Sequence, residues 1–163
     1  MLTHLATRIV ATHSRLSRAP APPAWLAFGV HADPLIETDL LIEVENKPGA
    51  LATVAAAISD AGVNISAATC TRPGDTARLH ILVKHPEAAK HALATALVTV
   101  TSQREVVVVD ADDRPGVLAD LARMVAAAGV DLDLLYLATK TRIVFGSPDL
   151  DGLRRVLGVS PAG

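Results

Sequence analysis

The sequence predicts an α+β protein built from two βαββαβ repeats, each an antiparallel sheet with its helices on one face. Three observations carry this. Glu45-Asn46-Lys47-Pro48-Gly49-Ala50-Leu51-Ala52 recurs 67 residues later as Asp112-Asp113-Arg114-Pro115-Gly116-Val117-Leu118-Ala119. Ala61-Gly62-Val63-Asn64-Ile65 recurs at the same offset as Ala128-Gly129-Val130-Asp131-Leu132. Between and beyond these phrases, short apolar runs alternate with stretches of helical period. A shared register over that distance marks an internal repeat, and the repeat decides how many units must be explained.

The elements follow in order. Leu40 to Val44 is a short apolar run that ends in a polar Pro-Gly turn, and Val106 to Val109 repeats it; both read as strands. After each Pro-Gly, Leu51, Val54, Ala55 and Ile58, then Leu118, Leu121, Ala122 and Val125, fall at i, i+3, i+4 and i+7, one apolar stripe on a helix of about twelve residues. Gly62 and Gly129 stop these helices, since glycine readily turns left-handed after a last helical turn. Val63 to Thr71 and Ala77 to Val83 flank Arg72-Pro73-Gly74-Asp75 and predict a hairpin. In the second copy the hairpin is shorter, Asp131 to Leu137 and Arg142 to Phe145, and the loss sits at a loop tip. His85-Pro86-Glu87 opens a helix to about Leu97, and Ser147-Pro148-Asp149 opens its counterpart to Leu157. The last strand of the second copy has only Gly158 to Gly163 to draw on and is expected to be short or missing. The resulting organisation is a leader over residues 1–37, a first repeat over 38–103 and a second over 104–163. Two such ferredoxin-like units are expected side by side, joined edge to edge so that strand edges are covered.

The leader carries Arg8, Arg15 and Arg18 without an acidic residue before His31, then a Pro-rich stretch from Ala19 to Ala24. It reads as a disordered or weakly helical leader and linker, with an organelle transit peptide, a plain tail or a misplaced start as the alternatives for its origin.

Composition narrows the function. A formal net charge of -2, with no basic run in the repeats, argues against nucleic acid. Charged residues interrupt every hydrophobic stretch of the repeats, which argues against a membrane span. The single cysteine, Cys70, precludes an intrachain disulfide and fits a cytoplasmic protein. Repeats of some 65 residues bury little alone, so a shared core and a homodimer are expected. His80, His85 and His91 miss metal-ligand spacing, and Asp110, Asp112 and Asp113 read as a solvated turn; neither a metal nor a cofactor is expected. No nucleophile elbow, paired carboxylates or phosphate loop suggests catalysis.

The strand-to-helix turn carries the functional argument. The first amides of a helix have no intrahelical partner and favour a carboxylate, and Gly49 offers no side chain to block its approach. Asn supplies two donors and an acceptor, so Asn46 and Asn64 together suit the two ends of a zwitterion. Against this stands plain turn chemistry, for which Asn before Pro-Gly also serves well.

With these motifs in order, twice, the chain from Leu40 to about Leu157 resembles the ACT domains, small modules that bind amino acids in regulatory parts of biosynthetic enzymes and in stand-alone tandem proteins. The resemblance implies a non-catalytic sensor whose effector is a free amino acid held between domains, one asparagine from the turn and one from strand two of a partner domain. It assigns Asn46, Lys47, Pro48, Gly49, Ala50, Leu51 and Asn64 to the ligand. In the second copy it points to Asp113, Arg114, Gly116, Leu118 and Asp131 as a second site. There the asparagines are aspartates, which would repel a ligand carboxylate. A metabolic enzyme is the expected regulated partner, and a ligand-free interaction domain that dimerises or docks on such an enzyme is the alternative.

Overall fold

The computed structural model describes residues 26–27, 29–30 and 34–159. Ten elements follow one another: β1 (Leu35–Glu45), α1 (Ala50–Asp60), β2 (Ile65–Thr71), β3 (Thr76–Val83), α2 (Pro86–Thr95), β4 (Val100–Asp110), α3 (Val117–Ala127), β5 (Leu134–Ala138), β6 (Arg142–Gly146) and α4 (Leu150–Leu157). The strands form one six-stranded antiparallel sheet in the order β2-β3-β1-β4-β6-β5.

The central pair explains this single sheet. β1 and β4 pair from Leu35↔Val108 to Ile42↔Val100. In the first unit β4 lies beside β1 as the fourth strand, and in the second unit β1 lies beside β4 in the same role. Each unit thus completes its sheet with the first strand of the other. A strand made from residues after Gly158 would find that place occupied; residues 160–163 lie outside the described residues. β4 runs through residue 103, where the first unit was expected to end, and β1 begins at Leu35, inside the expected leader. Farther back, Val30 is buried, bridges Ala111 and packs on the second unit's core. Residues 1–25, to which most of the leader reading applies, lie outside the described residues.

Local chemistry sets the helix ends. Gly49 and Gly116 precede α1 and α3 at φ 90° and 92°, a left-handed conformation that costs a residue with a Cβ about 1–2 kcal/mol. After each helix the chain closes the same way: Val63 N donates to Ile58 O at 3.2 Å and Val130 N to Val125 O at 3.3 Å, with Gly62 and Gly129 both at φ 71°. Pro86 opens α2, and Asp149 caps α4 by accepting from Gly152 N at 2.9 Å.

All four helices pack on one face. Alternate residues of the strands meet them in two clusters: Leu40, Ile42, Leu79, Ile81 and Val83 with Val54, Ile58 and Leu93; and Val107, Val109, Ile143 and Phe145 with Leu121, Val125, Leu153 and Leu157. The opposite face is buried too. The sheet curls until its edge strands meet, Thr139 donating to Ser66 O through its amide at 3.4 Å and its hydroxyl at 3.1 Å. Ala67, Leu82, Val106, Val108, Tyr136 and Val144 fill the hollow. No described helix is long and apolar enough to cross a membrane.

Candidate functional site

The turn after β1 is built from its own backbone. Asn46 N donates to Asp75 O at 3.1 Å, Ala50 N to Lys47 O at 3.2 Å, and Thr53 N to Gly49 O at 2.9 Å. No side chain caps α1, so the helix N-terminus is left to backbone, water or ligand. A Cβ on Gly49 would meet nothing within 4 Å: the glycine faces open space. Asn46, Lys47, Pro48, Gly49 and Leu51 are exposed and Ala50 is half-buried. The Lys47 ammonium sits 2.8 Å from Glu45 Oε2. That contact holds Glu45 below the usual carboxylate range and Lys47 above the usual lysine range.

Beside the turn opens a groove of about 380 Å³, walled by Glu43 to Glu45, Lys47, Ala50, Thr53, Val54 and the loop Leu97 to Thr99. Leu97 is 94% exposed and left-handed at φ 57°, an uncommon state for a side chain with a Cβ. Nothing in the helical pattern up to Leu97 pointed to this loop; its conformation arises because α2 stops at Thr95.

Asn64 lies elsewhere. Glu45 pairs with Thr76 at one end of β3, and Ile65 pairs with Val83 at the other. Asn46 and Asn64 of one chain are thus separated by roughly the length of β3, about 23 Å at 3.3 Å per residue. They can address one ligand only across two copies of the chain.

The second turn repeats the backbone. Gly116 also faces open space, Val117 N donates to Arg114 O at 3.5 Å and Asp120 N to Gly116 O at 2.9 Å. Its surface differs. Arg114 lies 3.6 Å from Asp112 and 3.4 Å from Asp120, and Asp112 N donates to Gly29 O at 2.7 Å, so the segment before β1 borders this turn. Asp113 is exposed, Leu118 is 36% exposed, and exposed Asp131 accepts from Ser147 Oγ through its backbone oxygen.

Sequence patterning missed a polar network in the hollow of the sheet. Asp39, 1% exposed, accepts from Tyr136 Oη at 2.7 Å, and His80 Nδ1 lies 2.8 Å from its other oxygen. Glu37 Oε1 accepts from Arg142 at 3.3 Å, and Arg104 forms a two-pronged pair with Asp133 at 2.7 and 2.9 Å. Burial, reinforced by the Asp39 charge, pushes the Tyr136 hydroxyl far above the usual tyrosine range, so it stays a donor. The alternating charges along β1 were the available signal, but alternation alone reads as a solvent-facing side.

Residues 38–95 match the family model of the ACT domain. No curated protein matches the chain. Among solved structures, the chain is similar to a protein from Bacteroides thetaiotaomicron, 26% identical over 78% of this chain and 90% of that one, with a TM-score of 0.69. It shares its fold with the ligand-free regulatory subunit of aspartate kinase from Thermus thermophilus, 20% identical over 79% of this chain and 93% of that one, TM-score 0.56. The regulatory subunit of aspartate kinase from Thermus flavus is alike to the same degree, at 19% identity over 80% and 97% of the two chains, TM-score 0.57. The stretch that matches the ACT domain, residues 38–95, includes the Asn46 to Leu51 turn and Asn64.

Proposed function

We propose that this chain is a non-catalytic regulatory protein that binds a free amino acid at the first turn, between two copies of the chain. The carrying observation is the turn itself: an uncapped α1 N-terminus behind Gly49, with Lys47 and Asn46 exposed beside a groove of about 380 Å³. Such a terminus receives a carboxylate through backbone amides and dipole. Lys47, released from Glu45, adds charge, and Leu51, 51% exposed, offers an apolar wall. Asn64 comes from a second copy, because the turn and Asn64 of one chain stand at opposite ends of the sheet. Leu135 and Leu137 on edge strand β5, 40% and 65% exposed, are apolar surface that a homodimer would cover. The ACT match and the fold shared with aspartate kinase regulatory subunits support regulation of a metabolic enzyme. The ligand would act by favouring one arrangement of the interface over another.

The second turn, with Asp113 and Asp131 in place of the asparagines and with Arg114 drawn to Asp112 and Asp120, is read as a weaker site or none. A ligand-free interaction domain is the second reading, favoured by the Lys47–Glu45 pair that already occupies the lysine.

A thermal-shift screen of the full chain against the twenty amino acids tests the proposal. A true effector at a hundred times its Kd adds about 2.7 kcal/mol of stability, and Asn46→Ala should lower its affinity at least tenfold with the fold retained. No response to any amino acid would leave the ligand-free reading standing.

A further inference from the structure

Beyond the first turn, at the other end of β1, a second groove has an unusual wall. β1 outruns β3: their pairing stops at Thr38↔Val83, while Leu35, Ile36 and Glu37 continue along β4 only. Where β3 has ended, a groove of about 320 Å³ opens, lined by Leu35, Ile36, Glu37, Thr38, Val83 and Lys84. Extending the register would set Lys84 opposite Glu37, and the two form no ion pair. The Glu37 side chain is 7% exposed; Arg142 meets Oε1, but Oε2 is buried with no hydrogen-bond partner among the described residues. Lys84 is exposed and makes no hydrogen bond or ion pair with any described residue. A buried carboxylate oxygen without a donor is costly, and a donor to Oε2 would come from outside the described residues.

The second unit shows what a closed version looks like. Glu37 corresponds, 67 residues on, to Arg104, whose two terminal guanidinium nitrogens both donate to Asp133. Lys84, one residue before the first residue of the α2 cap, corresponds to Pro148 before Asp149. The same place in the fold is sealed in one unit and left with a carboxylate and an ammonium across a groove in the other.

We propose that this groove is a second small-molecule site, for a zwitterion of amino-acid size whose ammonium meets Glu37 and whose carboxylate meets Lys84. It lies at the far end of β1 and β3 from the first turn, the end where Ile65 pairs with Val83 and where Asn64 also stands, and it needs no second copy. Both charges of the ligand are matched, and the open backbone edge of Leu35 to Glu37 adds donors and acceptors along its length.

The test titrates the full chain with each of the twenty amino acids by calorimetry, in wild type, Asn46→Ala, Glu37→Gln and Lys84→Met, with circular dichroism as the check on folding. The expected result is an amino acid whose binding survives Asn46→Ala and weakens at least tenfold in both Glu37→Gln and Lys84→Met. Exposed Lys84 can be replaced without disturbing packing, so it keeps the test decisive if Glu37→Gln unfolds. Binding lost in Asn46→Ala and untouched by Lys84→Met would overturn this site and leave the first-turn reading intact. If, besides the expected result, Asn46→Ala weakens the binding of none of the twenty amino acids, this site stands and the first-turn reading falls. No binding at all would overturn both.

Discussion

The two Pro-Gly turns share one backbone and carry different surfaces. Gly49 and Gly116 agree within 2° in φ and share ψ of -15°, and the hydrogen bonds that follow them are the same. Around the first stand an amide, an exposed lysine and an open groove; around the second stand aspartates, an arginine held by two of them, and the chain segment at Gly29. The geometry of such a turn is therefore a scaffold requirement, set by the need to leave a strand and enter a helix, while the ability to hold a zwitterion rests on side chains that the scaffold does not dictate. The hollow of the sheet repeats the lesson: Arg104 with Asp133 is closed in the second unit, and its counterpart Glu37 is half-satisfied in the first.

The largest effect should come from testing whether the two units are energetically separate. Phe145 is fully buried in the second unit's core, so Phe145→Ala should cost about 3–5 kcal/mol. Because β1 and β4 belong to both units, urea unfolding followed by circular dichroism and by Tyr136 fluorescence should shift together; two separated transitions would break the shared-sheet account. Tyr136→Phe removes a donor from Asp39, a first-unit carboxylate, and should cost about 1–3 kcal/mol. The raised Tyr136 value adds a sign. The unfolded tyrosine ionises near pH 10 while the folded one stays neutral, so its contribution is complete below pH about 10 and declines above it. The variant should lose that alkaline decline.

The turns themselves give a sharper comparison. Gly49→Ala and Gly116→Ala should each cost about 1–2 kcal/mol, since both glycines are left-handed and both have room for a methyl group. Equal stability losses with ligand affinity changed only by Gly49→Ala would match the contrast between the units; loss of binding through Gly116→Ala would contradict it. The smallest effect is electrostatic. Arg104 holds Asp133 below the usual carboxylate range, so this pair contributes above pH about 4 and fades as pH falls through the folded value. With Asp133 43% exposed, the contribution should stay under about 1 kcal/mol. Asp133→Asn should flatten acid denaturation slightly.

Much of this was legible in the chain because it is local. The repeated phrase located both turns, the 3.6-residue stripes located α1 and α3, and Gly62 and Gly129 marked where they stop. The partner of a strand is not a local property. Nothing in Leu40 to Val44 or Val106 to Val109 says that β1 completes the second unit, so the sequence suggested two sheets joined edge to edge and a last strand short or missing, without naming the strands that make the join. The same limit hid the polar network: Glu37 and Asp39 alternate with apolar neighbours as solvent-facing residues do, and only the curl that brings Thr139 to Ser66 puts them inside. For the site, residue types at the turn were readable, but the distance between Asn46 and Asn64 depends on strand direction and length, which the sequence does not give.

The exchange of first strands has a further meaning for how such a molecule can change. A chain made by doubling one unit ordinarily keeps two separable modules, either of which can be lost, recombined or fused elsewhere. Here β1 is the outer wall of one half and the inner seam of the other. A deletion that removes either half would leave the survivor with a raw sheet edge, so the two halves are expected to persist together. Divergence is then left to side chains and to loop tips, which is where the two halves differ.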